Sequence, residues 1–141
     1  MADIMIYTDG GSRGNPGPAA IAVLIYDGKG KLLASHSEYI GEATNNVAEY
    51  RAVLKALKLA KRHGAGGSVS CVMDSELVAR QLSGKYKVKK PHLLELYSLV
   101  KDGEKAFSSV SYANVRREDE KISLADYLLN ASLDRMEAKR R

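Results

Sequence analysis

The sequence predicts one α/β domain built on a five-stranded mixed sheet, with three antiparallel strands followed by parallel ones and helices on the faces. Three observations carry this. Three apolar stretches near the N-terminus are joined by short turn-forming segments, the pattern of an antiparallel meander. Beyond them, helical and strand periodicities alternate, which calls for a partly parallel sheet covered by helices. The chain has 141 residues and no internal repeat, linker or low-complexity tract, so residues 1–141 suit a single core.

Residues 3–9 (DIMIYTD) alternate, with Ile4, Ile6 and Thr8 on one face and Met5 and Tyr7 on the other. Both faces are mostly apolar, so the strand is predicted to be central. GGSRGNPGP follows and reads as a loop dense in turn formers. Residues 19–26 form the second strand, DGKG a turn, and residues 31–40 the third strand. A helix is predicted over 46–62, because Val47, Tyr50, Leu54 and Leu57 recur at helical spacing and Val53, Ala56 and Ala60 widen the stripe. Gly64 ends it after basic residues that suit a C-terminal dipole. A strand over 68–73, a short helix over 75–82 and a helix over 91–105 opened by Pro91 come next. A fifth strand over 109–116 and a last helix from Ser123 complete the order βββαβααβα.

Apolar residues make up 45% and charged residues 28%, a balance that excludes disordered and fibrous classes. No apolar run approaches the roughly 18 residues of a membrane span, so no membrane partner is expected. MADIMIYTDGG has no basic, apolar secretory pattern, and the expected location is cytoplasmic. Cys71 is the single cysteine, which excludes an intrachain disulfide and argues against a cysteine zinc site. It is expected to pack as a small apolar residue beside Val69 and Met73. The three histidines share no ligand spacing. A net charge of +5 favours a polyanionic partner without specifying one.

Four acidic residues are placed to meet. Asp9 ends the first strand and Asp74 the fourth, while Glu49 and Asp126 lie in the first turns of the two long helices. Ligand sites in α/β sheets form outside strand ends, where helix starts gather. Each residue also has a purely structural reading. Asn46-Val-Ala-Glu49 and Ser123-Leu-Ala-Asp126 fit capping boxes, and Asp9-Gly10 and Asp74-Ser75 fit a turn and a cap. Four carboxylates in one site would repel and raise each other's pKa values, a cost that a divalent cation removes. An oxygen-only set without paired His or Cys favours magnesium or manganese over zinc. Two such ions are an established solution for phosphodiester cleavage.

YTDGGSRGNPGPAAIAVLI resembles the first-strand signature of type 1 ribonuclease H, and TNNVAEYRAVLKAL that family's TNNxxE helix start. MDSELVARQL is similar to its DSxxV segment and LADYLLNASLD to its final ADxLAxxA helix. The four occur in family order and cover residues 4–134. The resemblance implies the ribonuclease H-like fold and hydrolysis of the RNA strand of an RNA–DNA hybrid, leaving 3′-hydroxyl and 5′-phosphate ends. It implies two Mg2+ ions with substrate bound, with Mn2+ as a substitute. Asp9 would bridge both ions, Asp74 and Asp126 would help hold the water-activating ion, and Glu49 would bind the other near a 2′-hydroxyl. Backbone groups of Gly10, Gly11, Ser12 and Arg13, with Asn15, would face the substrate. Asn45 and Asn46 would contact its sugars and bases. Gly10, Gly11, Gly14 and Gly17 would permit close approach of a minor groove, where the 2′-hydroxyl separates RNA from DNA.

The chain departs from the family in three places. It has no Trp-rich basic protrusion; Gly84-Lys-Tyr-Lys-Val-Lys-Lys90 is a short basic segment whose Lys85, Lys87 and Lys89 are candidate phosphate contacts, with a solvated loop as the other reading. Glu76 stands where many relatives carry Gln. The loop 114–122 has no histidine; Glu118 or Glu120 is a candidate to perturb the metal site, with a surface charge cluster as the favoured reading. No obligate protein partner is evident, and a monomer is expected. The competing functions are a non-catalytic nucleic-acid binder on this fold, a DNA-cutting integrase- or resolvase-like relative, and a nuclease also acting on double-stranded RNA.

Overall fold

A computed structural model describes residues 2–140. Five strands, β1 (Ile4–Ser12), β2 (Gly17–Asp27), β3 (Leu32–Ala43), β4 (Ser68–Met73) and β5 (Ser109–Asn114), form one sheet in the order β3-β2-β1-β4-β5. The β3-β2-β1 half is antiparallel and the β1-β4-β5 half parallel, as predicted. Four helices cover it: α1 (Asn45–Gly64), α2 (Glu76–Leu82), α3 (Pro91–Gly103) and α4 (Glu120–Lys139), with a short 3-10 turn at Glu104–Ala106. None of the described helices is long and apolar enough to cross a membrane.

Strand parity divides the core in two. Ile4 and Ile6 of β1, with Val23 and Ile25 of β2, pack against α1, α2 and α3 around Tyr50, Val53, Leu57 and Val78. Ala20, Ala22, Leu24 and Tyr26 pack on the other face against Ala125, Leu129 and Leu133 of α4, with Met5 and Tyr7 beside them. The side chains of β2 are buried in both directions, which explains why residues 19–26 read as an unbroken apolar run. Cys71 is buried with Val69 and Met73, as expected. The Tyr50 hydroxyl, deep in the larger layer, donates to Gln81 Oε1 at 2.6 Å, so this buried polar pair is satisfied.

Three of the boundaries that differ from the sequence expectation bear on the site. The stretch read as a glycine loop is largely strand, since β1 pairs with β2 through Ser12 opposite Ala19 and only residues 13–16 turn. Thr44, not Asn46, caps α1, its side chain accepting from Val47 N. Asp119, not Ser123, caps α4, accepting from Lys121 N and Ile122 N. Neither apparent capping box is used as such, so Glu49 and Asp126 lie in the second turns of their helices and their carboxylates are not needed for capping.

Candidate active site

The β1–β4 register pairs Tyr7 with Val72. Continued two residues, it sets Asp9 beside Asp74 just where β4 ends, so β1 is left open along one edge. Parity also sends alternate residues of β1 to opposite faces. Asp9 points with Met5 and Tyr7 toward the α4 layer, which carries Asp126, and Gly10 points toward α1. A side chain on Gly10 would strike the backbone of Ala48 and stand 2.6 Å from Glu49 N. The absent side chain therefore lets α1 lie directly on β1, bringing Glu49 to Asp9. Gly17 is likewise required inside the fold, because a Cβ there would collide with Arg13 O. Of the glycines expected to admit a groove, Gly11 keeps ordinary room around its Cα.

A cavity of about 430 Å³ is lined by Asp9, Glu49 and Asp126 together with Gly10, Gly11, Ser12, Asn45 and Arg117. Asp74 stands at its edge, its side chain only 15% exposed, and Arg117 Nε reaches its Oδ2 at 3.4 Å. Burial, then the charges of Asp74, Asp126 and Glu49, push the Asp9 carboxyl up to about 8. Burial pushes Glu49 up to about 7, with Asp74 adding to the rise and Ser75 and Arg117 opposing it. The four carboxylates thus feel one another strongly, although among the described residues no three acidic, His or Cys side chains close to the spacing that would hold an ion. Glu49 Oε2 is buried without any hydrogen-bond partner. An orphaned carboxylate oxygen facing other carboxylates is costly alone and suits a hard cation, so the donor set fits divalent metal.

The expected substrate-facing residues divide. Ser12 N donates to Asn45 Oδ1 at 2.9 Å, Asn45 N donates to Asn15 Oδ1 at 3.0 Å, and Arg13 N donates to Pro18 O at 2.8 Å. Ser12, Asn15 and Asn45 therefore lace the hairpin to the start of α1 beside the cavity. The backbone N–H groups of Ser12 and Arg13 are spent inside the protein. The Arg13 guanidinium is committed too, to Asp134 and Glu137 of α4, both at 2.7 Å, and to Asn130 Oδ1 at 3.2 Å. Asn46 is half-buried next to Asn45. Lys85, Lys87 and Lys89 are exposed on the connection between α2 and α3 and do not line the cavity.

Loop 115–119 contributes a cation to the edge of the site. Val115 N donates to Met73 O and Ser123 Oγ to Arg117 O, fixing Arg117 over the end of β4. Glu118 and Glu120 are exposed and do not line the cavity. Glu76 pairs with Arg80 at 3.2 Å, which partly offsets the charge it brings to this side. Nothing in the Arg116-Arg117 pair says which arginine reaches Asp74. The Arg13 anchor did leave a trace, since Asn130, Asp134 and Glu137 fall at i, i+4 and i+7 on one helix face.

A family model described as reverse transcriptase-like matches residues 7–131. The bifunctional protein Rv2228c of Mycobacterium tuberculosis is 41% identical over 132 residues, 93% of this chain and 35% of the relative. Its N-terminal RNase H domain, solved as a fusion with maltose-binding protein, superposes with a TM-score of 0.91 at 38% identity and full coverage of both chains. Ribonuclease HI of Halobacterium salinarum is 38% identical over 128 residues, 91% of this chain and 63% of the relative. LC11-RNase H1, solved in complex with an RNA/DNA hybrid, superposes with a TM-score of 0.88 at 44% identity, covering 94% of this chain and 98% of that one. The chain spans about a third of the length of the first curated relatives it matches.

Proposed function

The chain belongs to the reverse transcriptase-like family, among the type 1 ribonucleases H, and from that premise we propose that it hydrolyses the RNA strand of RNA–DNA hybrids. The observation that carries this is the meeting of Asp9, Glu49, Asp74 and Asp126 at one cavity, with Glu49 Oε2 buried and unpartnered. A structural cluster of that charge would destabilise the fold for no return, whereas a cation-holding site makes use of it.

Asp9, Asp74 and Asp126 would hold one divalent ion, Mg2+ or Mn2+, and Asp9 with Glu49 a second. Bound there, the pair supplies an activated water on one side of the scissile phosphate and charge stabilisation for the leaving oxygen on the other. Asp9 and Glu49 keep protons near neutrality and must give them up to act as ligands, so metal affinity should climb with pH between about 6 and 9. Arg117 pairs with Asp74 and offers a positive charge at the cavity wall, where phosphate oxygens would lie. Asn45, held by Ser12 and Asn15, sets the height of the α1 start against the hairpin and so the reach of Glu49. Lys85, Lys87 and Lys89 hold phosphates of the DNA strand outside the cavity. Cleavage leaves 3′-hydroxyl and 5′-phosphate ends.

The test is a gel assay on end-labelled hybrid with Mg2+, comparing wild type with Asp9→Asn, with all-DNA and all-RNA duplexes as parallel substrates. Wild type should cut the RNA of the hybrid, and Asp9→Asn should lose at least three orders of magnitude. Equal activity of the two proteins would remove this cavity from catalysis.

A further inference from the structure

Two cations tie the last helix to the first hairpin, and Asp126 lies between them. At the N-terminal tie, Lys121 Nζ stands 4.3 Å from the centre of the Tyr26 ring and 5.2 Å from that of Tyr7. A cation in the first turn of a helix opposes the helix dipole, so it is the two rings that hold Lys121 there. At the other tie, Arg13 Nη1 donates to Glu137 Oε1 at 2.7 Å, and Arg13 Nη2 donates to Asp134 Oδ1 at 2.7 Å and to Asn130 Oδ1 at 3.2 Å. Asn130 passes the contact on, since its Nδ2 donates to the main-chain carbonyl of Asp126 at 3.0 Å. We propose that Arg13 is a positioning residue, which fixes α4 in register with β1 and so keeps Asp126 opposite Asp9.

The rises of strand and helix agree along this line. Tyr7 to Asp9 spans about 7 Å of strand, and Lys121 to Asp126 about 7.5 Å of helix. Beyond the aspartates, Asp9 to Arg13 spans about 13 Å of extended chain, and Asp126 to Asp134 about 12 Å of helix. Each element thus carries two marks, with its aspartate at the matching point between them. Apolar packing alone would hold this register loosely. Leu129 and Leu133 pack with Ala20 and Ala22, whose short side chains leave little relief to stop a helix from sliding. Asp134 is 68% exposed, and exposed ion pairs of this kind stabilise a fold little, which leaves placement of α4 as their contribution. Arginine suits the task because one planar fork serves three acceptors, whereas a lysine brings a single point of charge.

Because Asp126 matters here as a ligand of the cation site proposed above, the proposal rests on that site, and metal uptake is measured apart from cleavage. Free Mn2+ is counted by electron paramagnetic resonance in titrations of wild type, Arg13→Ala, Arg13→Lys and the double variant Asp134→Asn with Glu137→Gln. Circular dichroism should report the native fold in each. Arg13→Ala and the double variant should each raise the Mn2+ Kd at least fivefold and raise the Mg2+ concentration for half-maximal cleavage in parallel, with KM for hybrid within twofold of wild type. Arg13→Lys should recover the melting temperature but not the Mn2+ affinity. Charge alone predicts the opposite sign for Arg13→Ala, since removing a cation favours cation binding. Asp134 and Glu137 stand about 12 and 16 Å along the helix from Asp126, beyond the screening length at physiological salt. Wild-type Mn2+ affinity in either Arg13→Ala or the double variant, or full recovery by lysine, would overturn the proposal. A raised KM in Arg13→Ala alone would also overturn it, by placing the arginine on the substrate. Wild type that takes up no Mn2+ would overturn it whatever the cleavage gel shows. Wild type that takes up Mn2+ yet leaves hybrid intact would overturn the proposed activity instead, with Arg13 still judged by the Mn2+ titrations.

Discussion

Removing the charge of Asp9 should make the metal-free protein more stable, and by an amount that depends on pH. The carboxyl is 7% exposed and titrates at about 8 instead of 3.8, chiefly from burial and then from Asp74, Asp126 and Glu49. The folded state therefore keeps a proton that the unfolded chain releases from about pH 4 upward. Wild-type stability falls as pH climbs through that window and levels off above about pH 8. A rise of this size in one isolated group would correspond to roughly 6 kcal/mol. The carboxylates share their repulsion, and some relaxation is available at an open cavity, so about 2–4 kcal/mol is the expected share. Asparagine keeps the shape without the charge. In a domain of this length that difference raises Tm by roughly 6–15 °C. Calorimetry in EDTA should show Asp9→Asn melting above wild type at pH 8, with the gap closing toward pH 4. Added Mg2+ should narrow the gap at pH 8 by stabilising wild type alone. A gap that ignores pH, or a variant that melts lower at pH 8, would refute the electrostatic account of the site.

Gly10→Ala should cost about 3 kcal/mol, because the new methyl meets backbone rather than a movable side chain. Activity should fall further than stability as Glu49 is pushed from Asp9, whereas Gly11→Ala has room and should be mild; urea midpoints and kcat check both. Arg117→Ala removes the positive charge that lowers Glu49, so the acid limb of the pH–rate profile should move to higher pH, and an unmoved limb would detach Arg117 from the carboxylates. Lys87→Ala with Lys89→Ala should weaken hybrid binding and reduce the slope of log K against log salt by about 2, with an unchanged slope placing the connection outside the interface.

Much of the fold was legible because strand parity is short-range. The alternation of Ile4, Ile6 and Thr8 against Met5 and Tyr7 is what divides the two core layers. Helix starts were less legible, since Asn46 to Glu49 and Ser123 to Asp126 have the spacing of capping boxes while Thr44 and Asp119 take the work. A side chain reserved for chemistry can imitate a cap, and only the upstream backbone tells them apart. The four carboxylates could be named from the motifs they sit in. The use of Arg13 left only the helical spacing of Asn130, Asp134 and Glu137 as a trace, because these partners lie more than 115 residues along the chain. The reach of the exposed Arg117 to Asp74 depends on loop contacts with Met73 and Ser123 that leave no local pattern.

The close seat of α1 on β1 at Gly10 gives the cage one fixed jaw. Backbone lies on backbone there, so Asp9 and Glu49 travel as a single rigid body. Asp126 belongs to a different support. Its helix rests on the sheet through side chains such as Leu129 and Leu133, over a bed that includes Ala20 and Ala22. Adjustment to ions of different radius should therefore fall to α4 and the arginine loop, and exchanging Mg2+ for Mn2+ should shift that side while the strand–helix pair stays still.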